Sequence, residues 1–312
     1  MNVKELRRRI RLRTAEFLPG LLRVLPESWG REACGGIGLA GYLLVGRDRR
    51  LARGNFSRVH PEWSRGRVEG ETRRVFRELG KNVYDFLRYP ELDAAARARL
   101  VRIPDRTYLD LPRAEGTGAI LVTAHLGCWE ILAATLVGEG FPLRAMARPM
   151  RERRLEQALR DHRRRMGVET IPSEGTARKA VRHLAAGGYL GMLADQRVKQ
   201  GGEWVTFLGQ PTRMADGPAR LALAAGVPVI PFGIRRLPDH THRVEVLPPI
   251  RPSAGRSARD LTGEIAGALS ELIRLAPREW MWIHPRWEAP RAPAPPPGPG
   301  VRAETEGQCA RP

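Results

Sequence analysis

Cysteine is scarce in this 312-residue chain. Cys34, Cys128 and Cys309 lie far apart, with no CxxC pair and no histidine at metal-ligand spacing beside them. A disulfide framework or a zinc site is therefore not expected, and a reducing compartment fits. Lysine is nearly missing too: Lys4, Lys81, Lys179 and Lys199 are the four lysines among 53 basic residues. A GC-rich genome yields the same arginine bias without any function. Long apolar runs are also lacking. The longest, around Gly35 to Gly46, falls short of the roughly 20 residues a membrane-spanning helix needs. The start is charged from Lys4 to Arg13 with no suitable apolar run directly behind it, so neither a signal peptide nor a spanning segment is expected.

What is abundant is positive charge. The formal net charge is +19, which suits nucleic acid, anionic lipid or another acidic partner. From Glu288 to Pro312 the arginines Arg291, Arg302 and Arg311 balance Glu288, Glu304 and Glu306. The surplus therefore sits on the part that folds. Nucleic acid is disfavoured, because the aromatic residues do not interleave with the arginines as stacking platforms do and no recognition-helix motif is visible.

The chain reads as three regions. Residues 1–50 combine a basic amphipathic start, with Leu6, Ile10 and Leu12 among Arg7, Arg8, Arg9, Arg11 and Arg13, and a Gly-rich apolar segment from Cys34 to Val45. That pattern suits helices in the headgroup layer of an anionic membrane surface; a helix packed on its own domain with a solvated basic face is the alternative. Residues 51–287 carry the folding periodicities. Residues 288–312 are Pro-, Ala- and Gly-rich, and read as a disordered tail.

Apolar residues from Val68 to Leu87 recur at helical spacing, predicting one helix over Glu62 to Tyr89, closed by Pro90. From Gly118 the texture changes to short apolar runs alternating with amphipathic stretches. Strands are predicted at 119–124, 143–147, 189–194, 227–234 and 243–247, and helices at 129–138, 151–166, 176–186, 217–225 and 257–275. Such alternation implies an α/β fold, a mostly parallel central sheet flanked by helices, with N-terminal membrane-associating helices in front. Active sites on such sheets lie beyond the carboxyl ends of the strands.

The informative stretch is ILVTAHLGCWEIL, Ile120 to Leu132. A hydrophobic strand ends and His125 follows at its tip; Gly127 allows a tight turn, and Glu130 falls in the first turn of the next helix. Across that turn the two side chains can meet. One imidazole nitrogen can then take a proton from an acceptor hydroxyl while Glu130 holds the other and stabilises the imidazolium. Backbone N–H groups at the helix start can hold an oxyanion or a phosphate. Cys128 also invites a thiol-nucleophile reading.

The same stretch resembles the His-x4-Asp/Glu motif of the lysophospholipid acyltransferase superfamily, and the wording HLGCWE is closest to its lipid A late acyltransferase and related glycolipid branches. The resemblance continues through Ala147 to Pro172, LADQR (Leu193 to Arg197), Phe207 to Phe232 and PREWMWIHPRW (Pro277 to Trp287), with NFSRVHPEWS (Asn55 to Ser64) and FRELGKNVYDFLR (Phe76 to Arg88) upstream.

It implies that His125 and Glu130 form the catalytic pair and that acyl groups move without an enzyme thioester. Arg148 and Arg163 resemble arginines that meet phosphate or donor groups, for which a guanidinium fork is better suited than an ammonium. Asp195 and Gln196 match the DQ that ends a strand in the lipid A branch; Asp195 either approaches His125 or caps the next turn. Gly209, Pro211, Thr212 and Arg213 form a turn resembling the acceptor-side loop. Trp280, Trp282 and Trp287, with Arg278 and Arg286, suit a membrane interface, while core packing explains Trp282 equally well.

The implied reaction moves an acyl chain from acyl-carrier protein or acyl-CoA to a glycolipid hydroxyl, with no cofactor, at the cytoplasmic face of the inner membrane, where the protein is peripheral. The acceptor expected first is a lipid A precursor, with a phosphatidylinositol mannoside second. The latter branch tends to carry an acidic residue where this chain has Trp204 beside Glu203.

Overall fold

The computed structural model describes residues 26–150 and 152–287. The basic start at Leu6 to Arg13 and the Pro-rich tail lie outside these residues.

Among the described residues, seven strands form one sheet and two form a separate hairpin. The sheet strands are β1 (Val101–Arg102), β2 (Ala119–Thr123), β3 (Leu143–Ala147), β4 (Glu169–Pro172), β5 (Tyr189–Leu193), β8 (Val229–Arg236) and β9 (His242–Val246), in the order β1-β9-β8-β2-β5-β3-β4. From β8 to β4 every pairing is parallel; β9 runs antiparallel to β8. The expected, mostly parallel α/β sheet is thus present. The hairpin, β6 (Glu203–Phe207) and β7 (Gln210–Met214), turns through Leu208 and Gly209, both at positive φ. Residues read as a single turn at Gly209 to Arg213 therefore belong mostly to a strand.

The sheet is buried on both sides, which is why its strands read as continuous apolar runs. Along β2, Ile120 and Val122 enter one core, and Ala119 and Leu121 the other. Helix α6 (Trp129–Gly138) packs on the second. Helices α8 (Ala177–Ala185), α9 (Gly217–Ala225) and α10 (Ala258–Leu275) pack on the first. Helix α7 (Arg153–Arg165), the link from β3 to β4, buries none of its residues fully. Two short helices, α4 (Ala94–Leu100) and α5 (Thr107–Ala114), flank β1.

The Gly-rich apolar segment forms the C-terminal part of α1 (Glu27–Leu44), and α2 (Gly46–Val59) follows at once, so residue 50 lies inside a helix. Helix α1 lies on α3 (Arg65–Arg88), whose start is capped by the Ser64 side chain. The glycines are there for proximity: a Cβ at Gly38 would sit 2.1 Å from the carbonyl oxygen of Phe76, and one at Gly80 would sit 2.1 Å from that of Cys34. One face of α1 is thus committed to its own domain. Asp85 on α3 ties the helices to the sheet edge, accepting from Arg31 Nε at 3.2 Å, from Arg236 and from His242 Nε2 at 2.9 Å. The other face of α1 exposes Trp29, Ile37 and Leu44. No helix among the described residues is long and apolar enough to cross a membrane.

The tryptophan cluster is interior. Trp280 and Trp282 are fully buried and Trp287 nearly so, with Trp282 stacked on Phe56 at 3.9 Å. Of the two readings of that cluster, core packing holds. These rings do not form an outer surface.

Candidate active site

Strands β2 and β5 are parallel neighbours paired in full register from Ala119 with Tyr189 to Thr123 with Leu193. Their carboxyl ends therefore deliver His125 and Asp195 side by side. His125 Nδ1 lies 2.7 Å from Asp195 Oδ1, and the backbone N–H of His125 donates to Oδ2 at 3.1 Å. The indole N–H of Trp280 donates to the same Oδ2 at 2.8 Å, and Arg286 Nη1 sits 3.0 Å from it. Burial alone would raise the Asp195 carboxyl; Arg286 first, then His125 and the hydrogen bonds, reverse that and hold it well below the usual carboxylate range. The Nε2 side of the imidazole faces outward, with Gln196 Nε2 at 3.3 Å.

The expected pairing of His125 with Glu130 is not what the fold builds. Glu130 does stand in the first turn of α6, but its carboxylate is gripped by Arg163 of α7 through two bonds, 2.8 and 2.6 Å. Spacing along the chain placed Glu130 within reach; the competing arginine arrives from 33 residues away. Arg163 thus partners Glu130 through its Nε and Nη2. Gly127 sits at φ 57°, and its N–H is spent on the carbonyl of Glu279 at 3.1 Å. It shapes the turn and offers no free N–H to a substrate.

Arg148 is 80% exposed at the end of β3, with Glu174 at 3.7 Å. Arg213 lies on β7 with its guanidinium over Trp204, 5.2 Å from the ring centroid. The structure brings His125, Asp195 and Gln196 together and leaves Arg148 and Arg213 outside that cluster. Cys128 is buried, its thiol pushed up by burial first and by Asp85 second, and it leans on the carbonyl of Asn82 at 3.4 Å. Such a thiol stays protonated and is no nucleophile.

Residues that sequence reasoning underweighted come from the segment after α10. Met281 N–H donates to the carbonyl of His125 at 3.0 Å, and Leu126 bridges to Trp280, so this segment lies antiparallel along the His125 turn. Asn55 fixes its far end through the carbonyls of Trp282 and His284, at 2.6 and 2.8 Å. The His284 ring stands 5.9 Å from that of His125. Burial, then Arg286 and His125, lower it to about 4, so it is neutral near pH 7. The dense PREWMWIHPRW wording was the available signal, but nothing local says which strand such a segment will cover.

Beside the dyad, under α6, lies a cavity of about 60 Å³ lined by apolar groups, including Trp129, Ala133, Ala145, Gly191 and Met192, with the Glu130–Arg163 pair at its edge.

Glu279, next to Trp280, is a buried carboxyl pushed up to about 7 by burial, against the backbone N–H of Arg236. Because its folded value lies above the ordinary 4.5, the stability it contributes is complete below that value and is lost as pH rises through about 7. Glu279→Gln cannot ionise. Its melting temperature, relative to wild type, should therefore rise between about pH 5.5 and about pH 8.5, as measured by thermal unfolding; a constant difference would contradict a raised carboxyl.

The fold and site are thus those of an α/β protein with an imidazole held by a buried carboxylate at the strand ends, next to an apolar cavity. The chain matches the bacterial lipid A biosynthesis acyltransferase family over residues 16–289, and it belongs to that family. It is also similar to the phosphatidylinositol mannoside acyltransferases of two Mycobacterium tuberculosis strains, 27% identical over 186 residues, covering 58% of this chain and 58% of each relative. That of Mycolicibacterium smegmatis is 26% identical over 206 residues, covering 65% of this chain and 67% of the relative. The matched part thus spans somewhat over half the length of the first two relatives.

Proposed function

We propose that this protein transfers a fatty acyl chain from a thioester donor to a hydroxyl of a membrane glycolipid, with His125 as general base. The observation that carries this is the His125–Asp195 pair, Nδ1 tied at 2.7 Å and Nε2 outward, beside the apolar cavity. The acceptor hydroxyl gives its proton to Nε2 as its oxygen bonds to the thioester carbon. The C–S bond then breaks, and the thiolate leaves with the proton from Nε2. The cavity, lined mainly by apolar groups, suits part of the acyl chain.

The donor is acyl-carrier protein or acyl-CoA. Both are anionic, and the exposed Arg148, Arg153, Arg154, Arg178 and Lys179 stand after β3 and β4, at the amino ends of α7 and α8. By topology that is the His125 edge of the parallel sheet, and such a rim steers an anionic donor.

Two acceptors have comparable support. Family membership favours a lipid A precursor, and the mycobacterial relatives favour a phosphatidylinositol mannoside. The departure at Trp204 does not outweigh those relatives. Lipid mass spectrometry of a deletion strain decides: an under-acylated lipid A or an under-acylated mannoside names the acceptor, and an unchanged lipid profile refutes the function.

Peripheral attachment to the cytoplasmic face of the inner membrane is part of the same reading. Its support is the stripe Trp29, Ile37 and Leu44, 72%, 53% and 80% exposed on one side of α1. Removing α1 would also strip Arg31 from Asp85, so point changes are the cleaner probe. Ile37→Ser with Leu44→Ser should weaken binding to anionic vesicles about tenfold or more, since each loses about 1–2 kcal/mol of partial apolar burial. Vesicle sedimentation that shows no change would move the docking surface elsewhere.

A further inference from the structure

Arg286 is 1% exposed, yet it carries a full charge into the interior. Its Nη1 donates to the backbone carbonyl of Asp195 at 2.7 Å and lies 3.0 Å from Asp195 Oδ2; its Nη2 reaches the carbonyl of Met281 at 3.3 Å. Its guanidinium also lies 4.7 Å from the centroid of the Trp280 ring. Holding two carbonyls and one carboxylate oxygen needs only donors. A neutral side chain could supply these without the desolvation cost of a buried cation.

The charge has a different use. A buried carboxylate touching an imidazole favours the imidazolium, and the more strongly it does so the less readily the ring gives its proton back. A second, permanent cation on the same carboxylate cancels the anion before the imidazole has to. Resting on the reading of His125 as the base, we propose that Arg286 is a positioning residue that acts through its charge, offsetting the Asp195 carboxylate beside the imidazole so that the carboxylate alone does not set how readily Nε2 takes and returns a proton.

The surroundings of His125 allow this. Asp195 and Gln196 face it from the end of β5, and Arg286 and His284 from the segment after α10. Trp129 faces it from α6, its ring centroid 5.1 Å away. Further along the cavity edge, Glu130 and Arg163 cancel each other through their two-bond pair. His284 is neutral near pH 7. The charges next to the imidazole are then Asp195 and Arg286, which sum to zero; without Arg286 they sum to minus one.

The test needs no substrate. In the full chain, the rate of His125 carbethoxylation by diethyl pyrocarbonate is followed against pH by peptide mass spectrometry, since the reagent attacks the neutral ring. Arg286→Gln should move the midpoint of that profile upward by about two pH units, the size expected when a unit charge roughly 6 Å away, across the shared carboxylate, is removed at an effective dielectric near 20. Arg286→Lys should leave it at the wild-type position. Asp195→Asn, which leaves the cation uncompensated, should move it in the opposite direction.

A purely structural role for Arg286 would lower stability and leave the Arg286→Gln midpoint at the wild-type position. Coincident profiles for wild type and Arg286→Gln would overturn the proposal. If that variant fails to fold, the double variant Asp195→Asn with Arg286→Gln, which buries no unpaired charge, takes its place: a midpoint no higher than that of Asp195→Asn alone overturns the proposal equally. Should His125→Ala retain full acyl transfer, the base assignment falls, while the modification profile still judges what Arg286 does to the ring.

Discussion

Replacing His125 by alanine lowers acyl transfer by about 10² to 10⁴-fold while the circular dichroism spectrum stays that of wild type, because positioned general-base assistance is worth about that much. The ring is a small, partly exposed group at a strand end, so its removal costs little packing. Asp195→Asn should fall in the same range for a different reason. An amide can donate to Nδ1 and so force the ring proton onto Nε2, where the base must be free.

Glu130→Gln should lose less than either. It weakens the Arg163 clamp at the cavity edge but leaves the dyad's contacts intact. Cys128→Ser should stay active. Full activity in both His125→Ala and Asp195→Asn would remove the dyad from the mechanism, and an inactive but folded Cys128→Ser would reinstate the thiol. Had the geometry followed the spacing of the motif alone, Glu130→Gln would be the damaging change and Asp195→Asn the mild one, so comparing these two discriminates the arrangements.

Gly127→Ala should be the most damaging single-methyl change near the site. A Cβ there would lie 2.2 Å from the carbonyl oxygen of Ile234, a backbone atom that cannot swing aside, and the residue sits at φ 57°, where L side chains are strained. Together these cost roughly 2–5 kcal/mol, or about 5–15 °C in melting temperature for a domain of this size. Activity should fall with it, because the turn sets the position of His125 against Asp195 and its N–H is bonded to Glu279. Gly36→Ala is the control: nothing lies within 4 Å of its Cβ position on α1, and alanine in a helix interior gains about 0.5–1 kcal/mol over glycine. Equal melting temperatures for Gly127→Ala and wild type would mean that β8 is not where the structure puts it.

The sequence by itself determined the elements and the tip on which the chemistry stands. Trp129–Gly138, Leu143–Ala147 and Gly217–Ala225 form as their periodicity predicts, since a 3.6-residue or an all-apolar pattern is a local property that survives any tertiary arrangement. The position of His125, two residues after Thr123 ends β2, was legible for the same reason. Short, weakly patterned strands such as β1 and β4 were not, because two to four residues carry too little pattern to read.

Only the tertiary structure decided which acid holds the imidazole. Glu130 is five residues from His125 and Asp195 is seventy away, yet the pairing of β2 with β5 makes the distant residue the neighbour, while Arg163 draws the near one off. It also decided that Trp280 and Arg286 lie inside against Asp195, and that the glycines of α1 serve a helix contact. Strand order, and the choice among competing partners of a charge, depend on which surfaces the whole chain must bury together, and no window of sequence contains that information.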